Sequence, residues 1–314
     1  MQYRRLGNTG LKVSEISLGS WLTYGGYVEE QKAAASIDTA YELGINFFDT
    51  ANVYIRGEAE KVVGKALSKF PRSSYVLATK VFGQMGDGPN DQGLSRKHIM
   101  EQCDASLQRL GMEYIDLYYC HRFHKETPLE ETLRALDDLV RQGKVLYVGV
   151  SEWTAEQMTE AVHIADKKLL DRIVVNQPNY SMLHRYIEKE IIPVSEKHGI
   201  GQVVFSPLAQ GVLTGKYEKG GLFPEGSRAA QQNMNMSHIL TEQNLERVEQ
   251  LRAVAYDENL TLSQLAIAWI LRQPNVASAL VGASRPEQLQ ETTKASGVTL
   301  STDSLERIEG ILNA

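Results

Sequence analysis

Short apolar runs alternate with longer stretches of helical period along the whole chain, and a sequence patterned this way folds as consecutive βα units. The apolar runs predict eight strands: Ile16–Leu18, Ile45–Phe48, Tyr75–Thr79, Ile115–Cys120, Val145–Val150, Ile173–Asn176, Gln202–Phe205 and Ser278–Val281. Helical period falls near Glu29–Leu43, Glu58–Lys69, Ser95–Arg109, Leu129–Gln142, Ala155–Lys167 and Arg185–Lys197, and over Glu242–Arg272 as one helix or two. Boundary signals agree with this division. Thr154 and Gln157 have capping-box spacing, and Gly143 and Gly199 stand where a left-handed residue ends a helix. The run Ile115-Asp116-Leu117-Tyr118-Tyr119-Cys120 is apolar at nearly every position, as parallel strands covered on both faces are. Eight such units close as a (β/α)8 barrel or spread as a doubly wound sheet, and periodicity does not separate the two.

No linker or low-complexity tract interrupts the 314 residues, so one domain over 1–314 is expected. Tyr3–Ser14, with Gly7 and Gly10 between short runs, predicts a small hairpin ahead of the barrel. Val81–Leu94 after the third strand and Gln210–Leu240 after the seventh are long and rich in Gly, Pro, Asn and Met, the mark of functional loops. A net charge of -6 speaks against a chain devoted to neutralising nucleic acid or an anionic membrane, and neither is an expected partner. The two cysteines, Cys103 and Cys120, make no disulfide framework. Nothing approaches the roughly 18 apolar residues of a spanning helix, and no apolar leader follows the first residues, so the cytoplasm is expected. A homo-oligomer is left open.

Residues just past the carboxyl ends of barrel strands gather at one face, and here those positions are polar. The second strand leads into Asp49, Thr50, Ala51, Asn52, Val53 and Tyr54; the third into Lys80; the fourth into His121; the fifth into Ser151 and Glu152; the sixth into Asn176 and Gln177. Asp49, Tyr54, Lys80 and His121 suit proton transfer. A phenol ionises near pH 10 but acts as an acid if a neighbouring ammonium stabilises phenolate; Lys80 supplies the charge, Asp49 holds the lysine, and a neutral His121 polarises a carbonyl. The competing account makes Asp49 and Lys80 a structural salt bridge and Tyr54 a packing residue. Neither H-x-H nor H-E-x-x-H spacing occurs, and no metal is expected.

These residues sit in longer motifs: Gly44-Ile45-Asn46-Phe47-Phe48-Asp49-Thr50-Ala51, Gly57-Glu58-Ala59-Glu60, Thr79-Lys80, Leu94-Ser95-Arg96-Lys97-His98-Ile99, His121-Arg122, Gly149-Val150-Ser151 and Phe205-Ser206-Pro207-Leu208. Over essentially its whole length the chain resembles the aldo-keto reductase superfamily, and within it bacterial reductases related to the beta subunits of voltage-gated potassium channels. The resemblance implies a barrel rather than an open sheet, and NAD(P)H-dependent reduction of aldehydes or ketones. It makes Tyr54 the general acid, Asp49 and Lys80 its tuning pair, and His121 the residue that orients the carbonyl. The alternative it carries is a redox sensor or channel-associated subunit of slow turnover. His121 argues against that, because channel beta subunits hold asparagine there. His124 has no assigned role and reads as a loop histidine.

No G-x-G-x-x-G follows the first strand, so a Rossmann site is not indicated. The resemblance implies NADPH bound otherwise. Ser20, Trp21 and Asp49 lie beside it; Ser151 and Gln177 bond the nicotinamide carboxamide; Phe205 lies against the ring. Ser206, Pro207, Leu208 and Gly211 wrap the pyrophosphate, with Lys216 and Arg228 as cations. Gly282, Ser284, Arg285, Gln288, Glu291 and Thr292 receive the adenosine 2′-phosphate and adenine. Gln288 stands where many NADPH-dependent relatives carry arginine, and Arg285 is the candidate replacement. Glu152 replaces an asparagine or arginine of relatives, with a solvent-facing rim position expected. Substrate-side residues are Trp21, Tyr24, Tyr27, Phe82, Met85 and Phe123, an apolar cleft for a small carbonyl compound or simple loop packing.

Overall fold

The computed structural model describes residues 1–21, 30–218, 220–221, 223–224, 227–230 and 236–314. Strands β1 (Tyr3–Arg5) and β2 (Lys12–Ser14) pair antiparallel as the expected hairpin. Then follow β3 (Ile16–Gly19), β4 (Phe47–Asp49), β5 (Val76–Val81), β6 (Ile115–Cys120), β7 (Val145–Ser151), β8 (Val175–Gln177), β9 (Gly201–Phe205) and β10 (Val276–Gly282). These eight close a parallel barrel in chain order, β10 returning to pair with β3. That closure decides between barrel and open sheet.

Around the barrel run α1 (Glu30–Glu42), α2 (Glu58–Leu67), α3 (Arg96–Leu110), α4 (Leu129–Arg141), α5 (Ala155–Lys168), α6 (Ile191–His198), α7 (Glu242–Asp257), α8 (Leu262–Leu271), α9 (Pro286–Thr292) and α10 (Thr302–Asn313). Thr154 and Gln157 form the expected capping box of α5. The helix expected over Arg185–Lys197 is shorter: a single 3-10 turn at Tyr186–Glu188 precedes α6. Pro193 explains the break, since it has no N–H for a carbonyl four residues back and is tolerated only in a first turn. Glu242–Arg272 divides in two at Asn259, in the left-handed region at φ 56°, before a second capping box from Thr261 and Gln264. Helix α10 is additional to the segments singled out from the sequence.

Two apolar cores result. One lies between strands and helices. The other fills the barrel with Phe47, Val76, Ala78, Leu117, Tyr119, Val175, Val203 and Ala277, and Leu6 and Val13 of the hairpin join it. Asn8 N–H donates to Gly199 O at 2.8 Å, and Gly7 lies against Val174 and Gly201 where β8 and β9 begin. The hairpin therefore plugs the amino-terminal mouth, leaving the carboxyl-terminal mouth for chemistry.

Helix α2 meets the end of α3 at Gly64, where a Cβ would stand 2.2 Å from the Leu110 carbonyl oxygen. Gly64→Ala would gain about 1 kcal/mol of helix propensity, but the clash is with backbone that cannot rotate away. A net loss of about 1–3 kcal/mol in denaturant unfolding is expected, and equal or higher stability would show that the two helices slide apart freely.

Candidate active site

Side chains alternate along a strand, so the interior residues of each strand announce the one at its upper end. From Phe47 the period leads to Asp49, from Val76 and Ala78 to Lys80, from Leu117 and Tyr119 to His121, from Tyr147 and Gly149 to Ser151, from Val175 to Gln177, and from Val203 to Phe205. The polar group is thus the top layer of the barrel interior.

Asp49 and Lys80, 1% and 0% exposed, form a buried ion pair. Lys80 Nζ also donates to Thr50 O at 2.8 Å. Gln177 Nε2 donates to the other carboxylate oxygen of Asp49 at 2.8 Å, and Ser151 Oγ donates to Gln177 O at 2.8 Å. Ser20 joins through its Oγ to Thr50 Oγ1 at 2.8 Å and its N–H to Asp49 O at 3.0 Å. Tyr54 sits on a sharp turn whose next residues, Ile55 and Arg56, take left-handed φ of 48° and 50°. Such conformations cost energy and persist where the surroundings enforce them. The turn sets the Tyr54 ring edge-on to His121, centroids 5.6 Å apart, with Lys80 Nζ 5.2 Å from the Tyr54 centroid.

Burial drives the electrostatics. It raises the Asp49 carboxyl and lowers the Lys80 ammonium, each partly offset by the other's charge. Tyr54 is pushed above the phenol range by burial first and by the Asp49 charge second, while Arg122 pulls the other way. The cation acting on Tyr54 is therefore Arg122, a residue given no role from sequence, whereas Lys80 directs its hydrogens to Asp49 and Thr50. His121 is held well below the usual imidazole range by burial, then by Lys80 and Arg122. The site thus presents a protonated phenol beside a neutral imidazole.

Phe205 ends β9, paired with Leu280 of β10, and Gly282 of β10 pairs with Gly19 of β3, next to Ser20. The expected cofactor residues therefore lie on adjoining strand ends. After β9 the backbone is left-handed at Ser206, Ala209, Gln210 and Gly211, φ 55°, 48°, 57° and 96°. Gly211 has no Cβ, and Lys216 uses that space: its Nζ would lie 3.0 Å from one. A tight turn with an exposed ammonium folded over it fits a phosphate-bearing cofactor. At α9, Gln288 Oε1 accepts from Ser284 N–H at 2.8 Å and Arg285 N–H at 3.3 Å, so the glutamine caps amides that an arginine would leave open. Thr292 Oγ1 donates to Gln288 O at 2.9 Å, and Glu291 accepts from Thr261 at 2.8 Å, both bracing this helix. Arg285 is exposed. The side chain of Arg228 lies outside the described residues, as do Tyr24 and Tyr27.

Glu152, expected at a solvent-facing rim position, is half-buried and tied to neighbouring loops. It is left-handed at φ 58°, and its Oε1 accepts from Asn179 N–H at 2.6 Å and Tyr186 OH at 3.0 Å. It clasps the loops after β7 and β8 together. His124 bonds Thr127 Oγ1 at 2.7 Å and packs edge-on against Phe82, a loop role. Phe123 packs on Trp153, so Phe82 and Phe123 both serve loop packing. Trp21 is 39% exposed. Among the described residues no group of three or more His, Cys, Asp and Glu could hold a metal, and no helix is long and apolar enough to cross a membrane.

The sequence model of the aldo/keto reductase family matches residues 15–313. The chain is 44% identical to a probable voltage-gated potassium channel subunit beta of Arabidopsis thaliana, covering 100% of this chain and 97% of that protein. It is 44% identical to a putative voltage-gated potassium channel subunit beta of Schizosaccharomyces pombe, covering 99% and 93%. It is 37% identical to L-glyceraldehyde 3-phosphate reductase of Escherichia coli O157:H7, covering 98% and 92%.

Proposed function

Because the chain belongs to the aldo/keto reductase family and is a nicotinamide-dependent oxidoreductase, we propose that it reduces an aldehyde or ketone to the alcohol with NADPH, Tyr54 giving the proton. The observation that carries this is the pairing, at the open mouth of the barrel, of a phenol held protonated with an imidazole held neutral. Bound nicotinamide supplies a hydride for the carbonyl carbon. His121, as an N–H donor, holds the carbonyl oxygen, and Tyr54 transfers its hydroxyl proton there as negative charge develops. Arg122 supplies positive charge that stabilises the resulting phenolate, which is reprotonated from solvent. Asp49 keeps Lys80 in place and Gln177 keeps Asp49 in place.

Ser151, Gln177, Phe205, the 206–216 turn and the Ser284–Thr292 segment would hold the cofactor. Lys216 and Arg285 are the exposed cations for its phosphates, and charge-assisted contacts contribute about 1.5–3 kcal/mol each. NADPH is expected to bind at least about tenfold more tightly than NADH, with Arg285→Ala narrowing the gap. Equal dissociation constants for the two in fluorescence titration would remove the NADPH assignment. A second reading, a cofactor-bound sensor of slow turnover, draws on the names of the Arabidopsis and fission yeast relatives.

A further inference from the structure

Arg122 follows His121 at the top of the barrel, is exposed, and is not used by the fold as other arginines are. Its Nη1 donates to His121 O at 2.6 Å and lies 3.5 Å from Ser151 Oγ, which fixes the guanidinium over the site. Its Nε and Nη2 have no hydrogen-bond partner among the described residues, and no carboxylate there pairs with it. The two acids of the site are both engaged elsewhere: Asp49 holds Lys80 and Gln177, and Glu152 holds Asn179 and Tyr186. Lys80 is neutralised by its ion pair. Arg122 makes no ion pair among the described residues, so its guanidinium, with Nε and Nη2 unused there, offers beside the carbonyl position the planar fork that suits carboxylate or phosphate.

We propose that Arg122 anchors an anionic substituent of the carbonyl substrate, so that the preferred substrates are carboxylated or phosphorylated aldehydes and ketones. The inference rests on the reductase reading and deepens it. A small carbonyl compound offers few atoms for binding, and one ion-paired contact aligns the carbonyl carbon while adding affinity.

The experiment compares kcat/KM within two matched pairs, para-carboxybenzaldehyde against para-nitrobenzaldehyde and glycolaldehyde phosphate against glycolaldehyde, for the wild-type enzyme, Arg122→Gln and Arg122→Lys. The wild type is expected to prefer the anionic member of at least one pair by about ten- to a hundredfold, the scale of a charge-assisted contact. The pair that shows the preference identifies carboxylate or phosphate as the group recognised. Arg122→Gln should bring the ratio close to one, with Arg122→Lys between, and NADPH binding followed separately should change little. An unchanged ratio, or equal losses on charged and neutral members with weakened NADPH binding, would overturn the proposal. A wild-type enzyme that reduces the neutral aldehydes without preference would also overturn it while leaving the reductase reading standing; reduction of none of the four would instead remove that reading.

Discussion

Tyr54→Phe is expected to lower kcat for carbonyl reduction by about 10²-fold or more, the scale of a positioned general acid, while leaving the dissociation constant for NADPH within about twofold. The substitution deletes one oxygen from a side chain whose hydroxyl makes no hydrogen bond to another described residue, so little structural loss accompanies it. The ring keeps its edge-on contact with His121 and its place above Lys80. What disappears is the only hydroxylic acid this turn sets against the carbonyl position. Water could replace it, but without fixed geometry, and the loss should fall on kcat rather than on binding. Near-normal turnover in stopped-flow and steady-state assays would take the proton-donor role from Tyr54.

Asp49→Ala is expected to destabilise the protein by about 3–5 kcal/mol, the cost of leaving a buried charge without its partner. Lys80 would keep only the Thr50 carbonyl at 2.8 Å, and Gln177 would lose its acceptor. Burial already lowers the Lys80 ammonium, so the variant lysine sheds its proton more readily and the cost sits toward the lower end. The double variant Asp49→Ala/Lys80→Met separates causes, because it removes the orphan charge and should recover part of the loss. Denaturant unfolding of the cofactor-free protein measures both, and strictly additive losses would show that the pair is not coupled.

The barrel strands are legible because burial on both faces leaves nearly uninterrupted apolar runs. Closure is not, since it depends on β10 reaching β3, a pairing with no local signature. Asp49, Lys80 and His121 stand out because each is the polar residue that ends an apolar strand. Glu152 was opaque: its partners Asn179 and Tyr186 meet it only through the β7 and β8 neighbourhood. The influence of Arg122 on Tyr54 was opaque for the same reason, because it crosses from one strand end to another. The break before α6 was legible in Pro193, but the surrounding period masks it. The helical role of Gln288 depends on a side chain folding back on its own cap, which composition does not register.

The most direct test of carbonyl reduction at this site is steady-state NADPH oxidation by the purified wild-type protein with an aldehyde in excess, scored against the amount of protein and of alcohol formed. The expected result is many equivalents of NADPH consumed per chain, matched one to one by alcohol. Consumption that stops at one equivalent, with NADP retained on the protein, would contradict it and favour the sensor.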